Sequence, residues 1–248
     1  LVEDHAINQK LALTLLERWG HSVAIADNGQ LALDALSLKS FDVILMDMMM
    51  PVMDGLEATR RIRAAESGRR VPIIAMTANA LESDRERCLA AGMDDYISKP
   101  IKAHELQAML QRVANGGMSS GDTGAVDLLL PGALAESDAQ FDYGAGLAEM
   151  DQEIREIISQ AFVDQWPEDL RKLRSGLDRP DLTAVLHVVH SLKGTLSMFG
   201  ARPASDLAHR MEVLAGRSEA EEIVTLMEPL QHEVEQLLTA ISVSLHTQ

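Results

Sequence analysis

Asp42-Val43-Ile44-Leu45-Met46-Asp47, continuing as Met48-Met49-Met50-Pro51-Val52-Met53-Asp54-Gly55, decides the fold of the first half of this 248-residue chain. Val43 to Met46 form an unbroken apolar run between aspartates, followed by a turn bearing Pro and Gly. That is the pattern of a strand buried on both faces. Such strands sit in parallel sheets, whose neighbouring strands are joined by helical crossovers. Further strand candidates flank it at 22–26, 72–76 and 95–98, with 1–3 as the stub of another and 42–46 as the central run. Amphipathic stretches at 8–19, 31–39, 55–67, 80–91 and 103–113 alternate with them. The pattern predicts an α/β domain over 1–114 with a doubly wound, five-stranded parallel sheet, whose sites form at the carboxyl ends of the strands.

The second half reads differently. Asn115-Gly116-Gly117-Met118-Ser119-Ser120-Gly121 opens a segment, 115–146, with the composition of a flexible linker. Within it, Leu128-Leu129-Leu130-Pro131 is either a docking patch or a loop cluster. From Leu147 the helical period takes over, with candidates at 148–165, 167–177, 181–199, 203–214 and 218–243. Trp166-Pro167, Asp178-Arg179-Pro180 and Gly200 punctuate them, and Asp181 is placed to cap a helix. An all-α antiparallel bundle over 147–248 is expected.

Composition narrows the function classes. The chain is 46% apolar, which suffices for a packed core and excludes wholesale disorder. Its single cysteine excludes a disulfide framework or a cysteine zinc site, and suits a reducing compartment. The formal net charge of −16 argues against phosphate-neutralising contact with nucleic acid. Residues 1–114 carry 13 Lys and Arg against 16 Asp and Glu, while 115–248 carry 9 against 22, so the acidity belongs mainly to the linker and bundle. No apolar run reaches the roughly 20 residues a membrane span needs. The chain opens on Leu1-Val2-Glu3, as if a strand were already under way, so a fragment of a longer protein is expected.

Glu3-Asp4, Asp47, Thr77 and Lys99 all fall at predicted strand ends, which share one edge of a parallel sheet. Three carboxylates gathered there repel one another unless a cation joins them. Two carboxylates, a backbone carbonyl and water or phosphate oxygens suit Mg²⁺. With a hydroxyl and an ammonium beside it, such a carboxylate can accept a phosphoryl group, a transfer that relies on positioning and charge neutralisation. An Asp-x-Asp phosphatase is excluded because Met49 stands two residues after Asp47. No Gly-x-x-x-x-Gly-Lys or Gly-x-Gly-x-x-Gly loop is present to hold a nucleotide.

The segments Leu1-Val2-Glu3-Asp4-His5, Asp47-Met48-Met49-Met50-Pro51-Val52-Met53-Asp54-Gly55, Met76-Thr77-Ala78-Asn79-Ala80 and Tyr96-Ile97-Ser98-Lys99-Pro100 resemble the response-regulator receiver domain, across the whole of 1–114. The resemblance implies a flavodoxin-like fold with Asp47 as phospho-acceptor. It implies Mg²⁺ held by Glu3, Asp4, Asp47 and the Met49 carbonyl, with Thr77 and Lys99 on the phosphoryl oxygens. Tyr96 would be the switch that follows Thr77 inward, and the Lys99-Pro100 bond would be cis. Met48, Met49 and Met50 suit core packing better than a metal site.

In the second half His190-Ser191-Leu192-Lys193-Gly194 stands out. Neutral imidazole is a nucleophile toward phosphoryl groups, Lys193 brings positive charge one turn away, and a helical glycine invites a reason. The segment, continued to Gly200-Ala201, resembles the histidine phosphotransfer (HPt) domain, a four-helix bundle with one exposed histidine. That implies His190 as phospho-acceptor, Lys193 as charge partner, Gly194 as clearance for a docking partner and Ser197 as a surface contact. His187 with His190 lacks the further ligands a zinc site needs, and His209 reads as structural or solvent-facing.

Together the resemblances imply a two-component phosphorelay module from the C-terminal part of a hybrid sensor histidine kinase. Asp47 would take a phosphoryl group from an upstream kinase histidine of the parent chain and pass it to His190. His190 would deliver it to the receiver of a downstream response regulator. A cytoplasmic location is implied, beneath a parent anchored at the inner membrane, with no nucleic-acid or membrane contact by this segment. The alternative is a regulatory interaction module in which the first domain gates the bundle without onward transfer. Transfer within one chain and between two chains are equally permitted by the sequence.

Overall fold

The computed structural model describes residues 1–77, 82–115, 142–148, 150–178 and 181–246. Ala78, Asn79 and Ala80 of the third motif, most of the expected linker with its Leu128-Leu129-Leu130-Pro131 patch, and the Arg179-Pro180 break lie outside the described residues.

The first domain runs α1 (Ala6–Arg18), α2 (Gly29–Leu38), β1 (Ile44–Asp47), α3 (Gly55–Ala65), β2 (Ile73–Thr77), α4 (Glu82–Ala91), β3 (Asp95–Ser98) and α5 (Ala103–Ala114). The strands are parallel in the order β1-β2-β3. Leu45, Ile74, Met76 and Ile97 join one apolar cluster, while Ile44, Met46, Ile73 and Ala75 join a second. Alternate side chains of a strand point to opposite faces, so β1 and β2 are buried on both sides, which is why they read as apolar runs.

All five expected segments lie side by side, but the first two are held by single bridges instead of continuous ladders. Val2 bridges in parallel to Ala26 on one side and Met46 on the other. Leu1–Glu3 offers only three residues to pair. Residues 21–25 are half-buried or exposed at the sheet edge, and the segment through Ala26 pairs by Ala26 N–H to the Leu1 carbonyl and the Leu1 amino group to the Ala24 carbonyl, each at 2.9 Å, and by Glu3 N–H to the Ala26 carbonyl at 3.1 Å.

The second domain comprises α6 (Tyr143–Ala148), α7 (Gln152–Asp178), α8 (Leu182–Met198), α9 (Arg202–Gly216) and α10 (Ala220–His246). Its core centres on Phe162, Phe199, Leu173, Leu192 and Val234, all closed to solvent, with the Phe162 and Phe199 rings 5.2 Å apart. Asp181 caps α8 by accepting from the Ala184 N–H at 3.1 Å, as its position predicts. Two expectations need correction. The break at Trp166-Pro167 does not occur, because α7 continues through Pro167. A mid-helix proline costs about 3 kcal/mol, and burying Phe162, Trp166 and Leu173 along the same helix outweighs it. The end of the expected linker is instead α6, pinned by the buried Tyr143, whose hydroxyl donates to Glu233 at 2.6 Å.

Candidate functional site

The parallel register puts Asp47 opposite Met76 and Thr77 opposite Ser98, so the carboxyl ends of the three strands are level. Glu3 and Asp4 follow the Val2 bridge onto the same edge. Carboxylate oxygens of Glu3, Asp4 and Asp47 lie within 4.8 Å of one another. Lys99, which follows β3 after a backbone bond from its N–H to the Thr77 carbonyl, places Nζ 2.7 Å from Glu3 Oε2 and 2.9 Å from Asp47 Oδ2. The Lys99-Pro100 peptide is cis.

Charge balance at this edge is incomplete. Among the described residues the Lys99 ammonium faces these carboxylates, and Asp4 Oδ1 is buried without a hydrogen-bond partner. Burial pushes the Asp47 carboxyl up to about 7 and Glu3 adds to the rise, against the opposing pull of Lys99 and, more weakly, His190. Asp4 is raised as well, by burial and then by Glu3. Burial works against the Lys99 charge, yet the adjoining Asp47 and Glu3 carboxylates hold its pKa above the ordinary range. An orphaned buried carboxylate oxygen among three convergent acids is the donor set a hard divalent cation takes, so the residues fit Mg²⁺.

Gly55 explains how Asp47 is held. A Cβ there would stand 2.1 Å from the Asp47 carbonyl oxygen, so the first turn of α3 packs directly on the backbone of the acidic residue. Asp54 caps that helix by accepting from the Glu57 N–H at 2.8 Å. Thr77 is buried at the end of β2, and Tyr96 is half-buried on β3 against the second apolar cluster. Met49 lies half-buried in the loop after β1.

On the bundle, His190 and Lys193 project from successive turns of α8 toward Glu212 of α9. His190 Nδ1 is 2.5 Å from Glu212 Oε1, and Lys193 Nζ donates to Oε2 at 2.6 Å. His209, one turn before Glu212, brings its own Nδ1 to 3.3 Å of Oε2. Burial works to raise Glu212, but hydrogen bonds from His190 and Lys193 outweigh it and hold the carboxyl down at about 2. With Nδ1 tied to a carboxylate, the donor proton belongs on Nδ1 and the lone pair on Nε2. Glu212 was missed from the sequence. Only its spacing of three from His209 hinted at a shared face, and nothing in the chain reveals that α9 lies against α8. The same cluster gives His209 a partner.

Two expectations for this helix change. His190 and Lys193 are each 8% exposed, because they pack on Glu212 instead of standing free. Among the described residues a Cβ on Gly194 meets nothing within 4 Å, so no contact there uses its clearance. Ser197 is exposed and shares a 2.7 Å hydrogen bond with Ser205.

Residues 1–111 match the family model of the response regulator receiver domain, and residues 158–242 match that of the Hpt domain. The chain is a receiver domain followed by an Hpt domain. It resembles the sensor histidine kinase GacS of Pseudomonas protegens, at 32% identity over 95% of this chain and 26% of that protein. It also resembles the signal transduction histidine-protein kinase BarA of Escherichia coli K12, at 31% identity over 85% of this chain and 23% of that one. The chain thus spans about a quarter of these relatives' length. Among solved structures, the receiver domain of sensor histidine kinase PA1611 from Pseudomonas aeruginosa, with magnesium in its own active-site cleft, is 51% identical. That match covers 46% of this chain and 93% of the other, with a TM-score of 0.43. A receiver joined to an Hpt domain makes the chain a two-component phosphorelay module. No helix among the described residues is long and apolar enough to cross a membrane.

Proposed function

We propose that Asp47 of the receiver accepts a phosphoryl group from a kinase histidine of the parent protein and hands it to His190 of the Hpt domain. His190 then delivers it to the receiver of a separate response regulator. One observation carries this reading: a buried, cation-seeking acidic cluster and a histidine with its Nδ1 anchored lie on one chain.

Glu3, Asp4, Asp47 and the Met49 carbonyl would hold Mg²⁺, which when bound supplies positive charge to the phosphoryl oxygens. Asp47 presents one carboxylate oxygen to phosphorus while its other, Oδ1, accepts the Met48 N–H at 2.7 Å. Lys99, freed from one carboxylate, neutralises a phosphoryl oxygen, and the Thr77 hydroxyl donates to another. Tyr96, half-buried beside them, reports the change to the surface. In the second transfer the Nε2 lone pair of His190 attacks phosphorus in line. The Asp47 oxygen–phosphorus bond breaks and its electron pair returns to the carboxylate. The Nδ1 proton stays on its bond to Glu212, which stabilises the cationic ring as Lys193 steadies the phosphoryl oxygens. The single-cysteine, acidic composition suits work in the cytoplasm.

Incubation with labelled acetyl phosphate and Mg²⁺ tests the assignment. Asp47→Asn is expected to abolish all label, and His190→Gln to leave base-labile label on Asp47 alone. Label that survives Asp47→Asn would refute the receiver assignment. Label on Asp47 that never reaches His190 would favour gating without relay.

A further inference from the structure

Helices α7 and α10 of the Hpt domain leave a groove of about 310 Å³ between them, walled by Leu177 of α7 and by Val224 and Met227 of α10. It continues along α7 past Leu170 as a second hollow of about 450 Å³, with Arg174 common to both. Leu170, Leu177 and Met227 pack on the core with one flank and stay half open, and Val224 is 55% exposed. Apolar side chains lined up on a concave surface mark a binding face, as a single exposed valine does not. One end of the groove carries an unmatched charge. Arg174 donates to the neutral Gln231 Oε1 at 2.9 Å and, among the described residues, forms no ion pair, whereas Arg171 beside it is paired with Glu168 at 2.5 Å. Asp178 and Glu228 also line the groove, Asp178 one turn beyond Arg174. A matching occupant therefore brings a carboxylate to Arg174 and apolar side chains to the stretch beyond it. From Gln231 back to Val224, that stretch is about 10 Å long.

We propose that this groove is the docking surface for Asp127-Leu128-Leu129-Leu130, a part of the same chain that lies outside the described residues. Residues 116–141 carry Asp122, Asp127, Glu136 and Asp138 with no Lys or Arg, so the segment is drawn to an unmatched guanidinium. Asp127 directly precedes the three leucines, and in an extended chain Leu130 falls about 10 Å beyond it, the length of the groove. The segment also ends within reach. Tyr143 is fixed to Glu233 of α10, which is about 14 Å along the helix from Val224. The chain from Leu130 to Tyr143 spans up to about 45 Å. Asp127 pairs with Arg174, while Leu128 and Leu130, which share one face of an extended chain, lie on Leu177, Met227 and Val224. Docking shortens the chain left between α5 and the bundle from a maximum of about 95 Å to about 40 Å, and so limits how far the two domains can separate. The groove belongs to α7 and α10, whereas His190 and Glu212 belong to α8 and α9, so the proposal does not depend on the relay reading.

Disulfide trapping in the full chain tests this, because Cys88, the chain's single cysteine, is buried and leaves introduced pairs readable. Leu130→Cys with Val224→Cys is compared with Leu130→Cys with Val243→Cys. Val243 is comparably exposed on the same helix and lies about as far from Glu233 in the other direction. In a glutathione buffer the Val224 pair is expected to close within one chain about tenfold faster than the Val243 pair. Adding Arg174→Glu to the Val224 pair is expected to slow closure roughly two- to fivefold. Arg174 is exposed, so circular dichroism should show the fold kept. Equal rates for the two pairs overturn the assignment of the segment to this groove. A disulfide that forms only between two chains overturns it in favour of a second copy's segment. Closure unaffected by Arg174→Glu contradicts the pairing of Arg174 with Asp127.

Discussion

Glu212→Gln keeps the shape of the side chain and removes its charge, which isolates what the carboxylate does for His190 and Lys193. Glu212 accepts from both at 2.5 and 2.6 Å. Charged hydrogen bonds are worth about 1.5–3 kcal/mol and neutral ones about 0.5–1.5, so two of them lose roughly 2–3 kcal/mol on neutralisation. The depression of the carboxyl to about 2 gives a similar figure: on the order of 2 kcal/mol after a discount for partial exposure to solvent. A carboxyl whose folded pKa lies below its unfolded value stabilises the fold above the unfolded pKa of about 4.3. That contribution fades as pH falls through about 2. Urea titration should therefore show Glu212→Gln destabilised by about 2 kcal/mol at pH 7, with the gap to wild type closing as pH falls below about 4. Transfer to His190 should slow as well, because Nε2 is no longer reserved as the free lone pair. A stability gap independent of pH, or one within about 0.5 kcal/mol at pH 7, would refute this electrostatic account of Glu212.

Three further outcomes follow from particular contacts. Gly55→Ala forces its Cβ against the Asp47 carbonyl, and is expected to cost about 1–3 kcal/mol in chemical denaturation and to slow labelling of Asp47. Gly194→Ala meets open space, so helix propensity should dominate: the melting temperature should rise by the equivalent of about 1 kcal/mol, with transfer inside the chain unchanged. With Asp47 pushed up to about 7, protons compete with Mg²⁺ for its carboxylate. Isothermal titration should show Mg²⁺ affinity falling as pH drops below about 7, approaching tenfold per unit, and Asp47→Asn should flatten that dependence.

Much of the site was legible because chemistry and register coincide in the sequence. Each strand run that ends in Asp47, Thr77 or Ser98-Lys99 marks both a strand and the residue at its carboxyl end, so the pocket follows from the strands. His190 was legible through Lys193 and Gly194 one turn on. What stayed hidden depends on packing between distant segments. Glu212 reaches His190 only because α9 lies against α8, and no local pattern records that contact. The burial of His190, in place of the exposure that the family resemblance implies, comes with its packing on Glu212 of α9. Pro167 misled for a related reason. Local propensity forbids a helix there, but the aromatic and aliphatic residues that α7 buries on either side override it. The edge segment at 22–26 looked like a full strand because β-branched residues mark strands, although its partner offers only Leu1–Glu3 to pair with.

The most direct measurement of the central claim is site-resolved phosphorus NMR on the intact chain after a brief pulse of acetyl phosphate with Mg²⁺. Signal should appear first as an acyl phosphate on Asp47 and then as a phosphoramidate on His190, rising as the first decays and absent in Asp47→Asn. A phosphoramidate that forms on His190 in the Asp47→Asn chain, or an acyl phosphate on Asp47 that decays only to free phosphate, would contradict the relay.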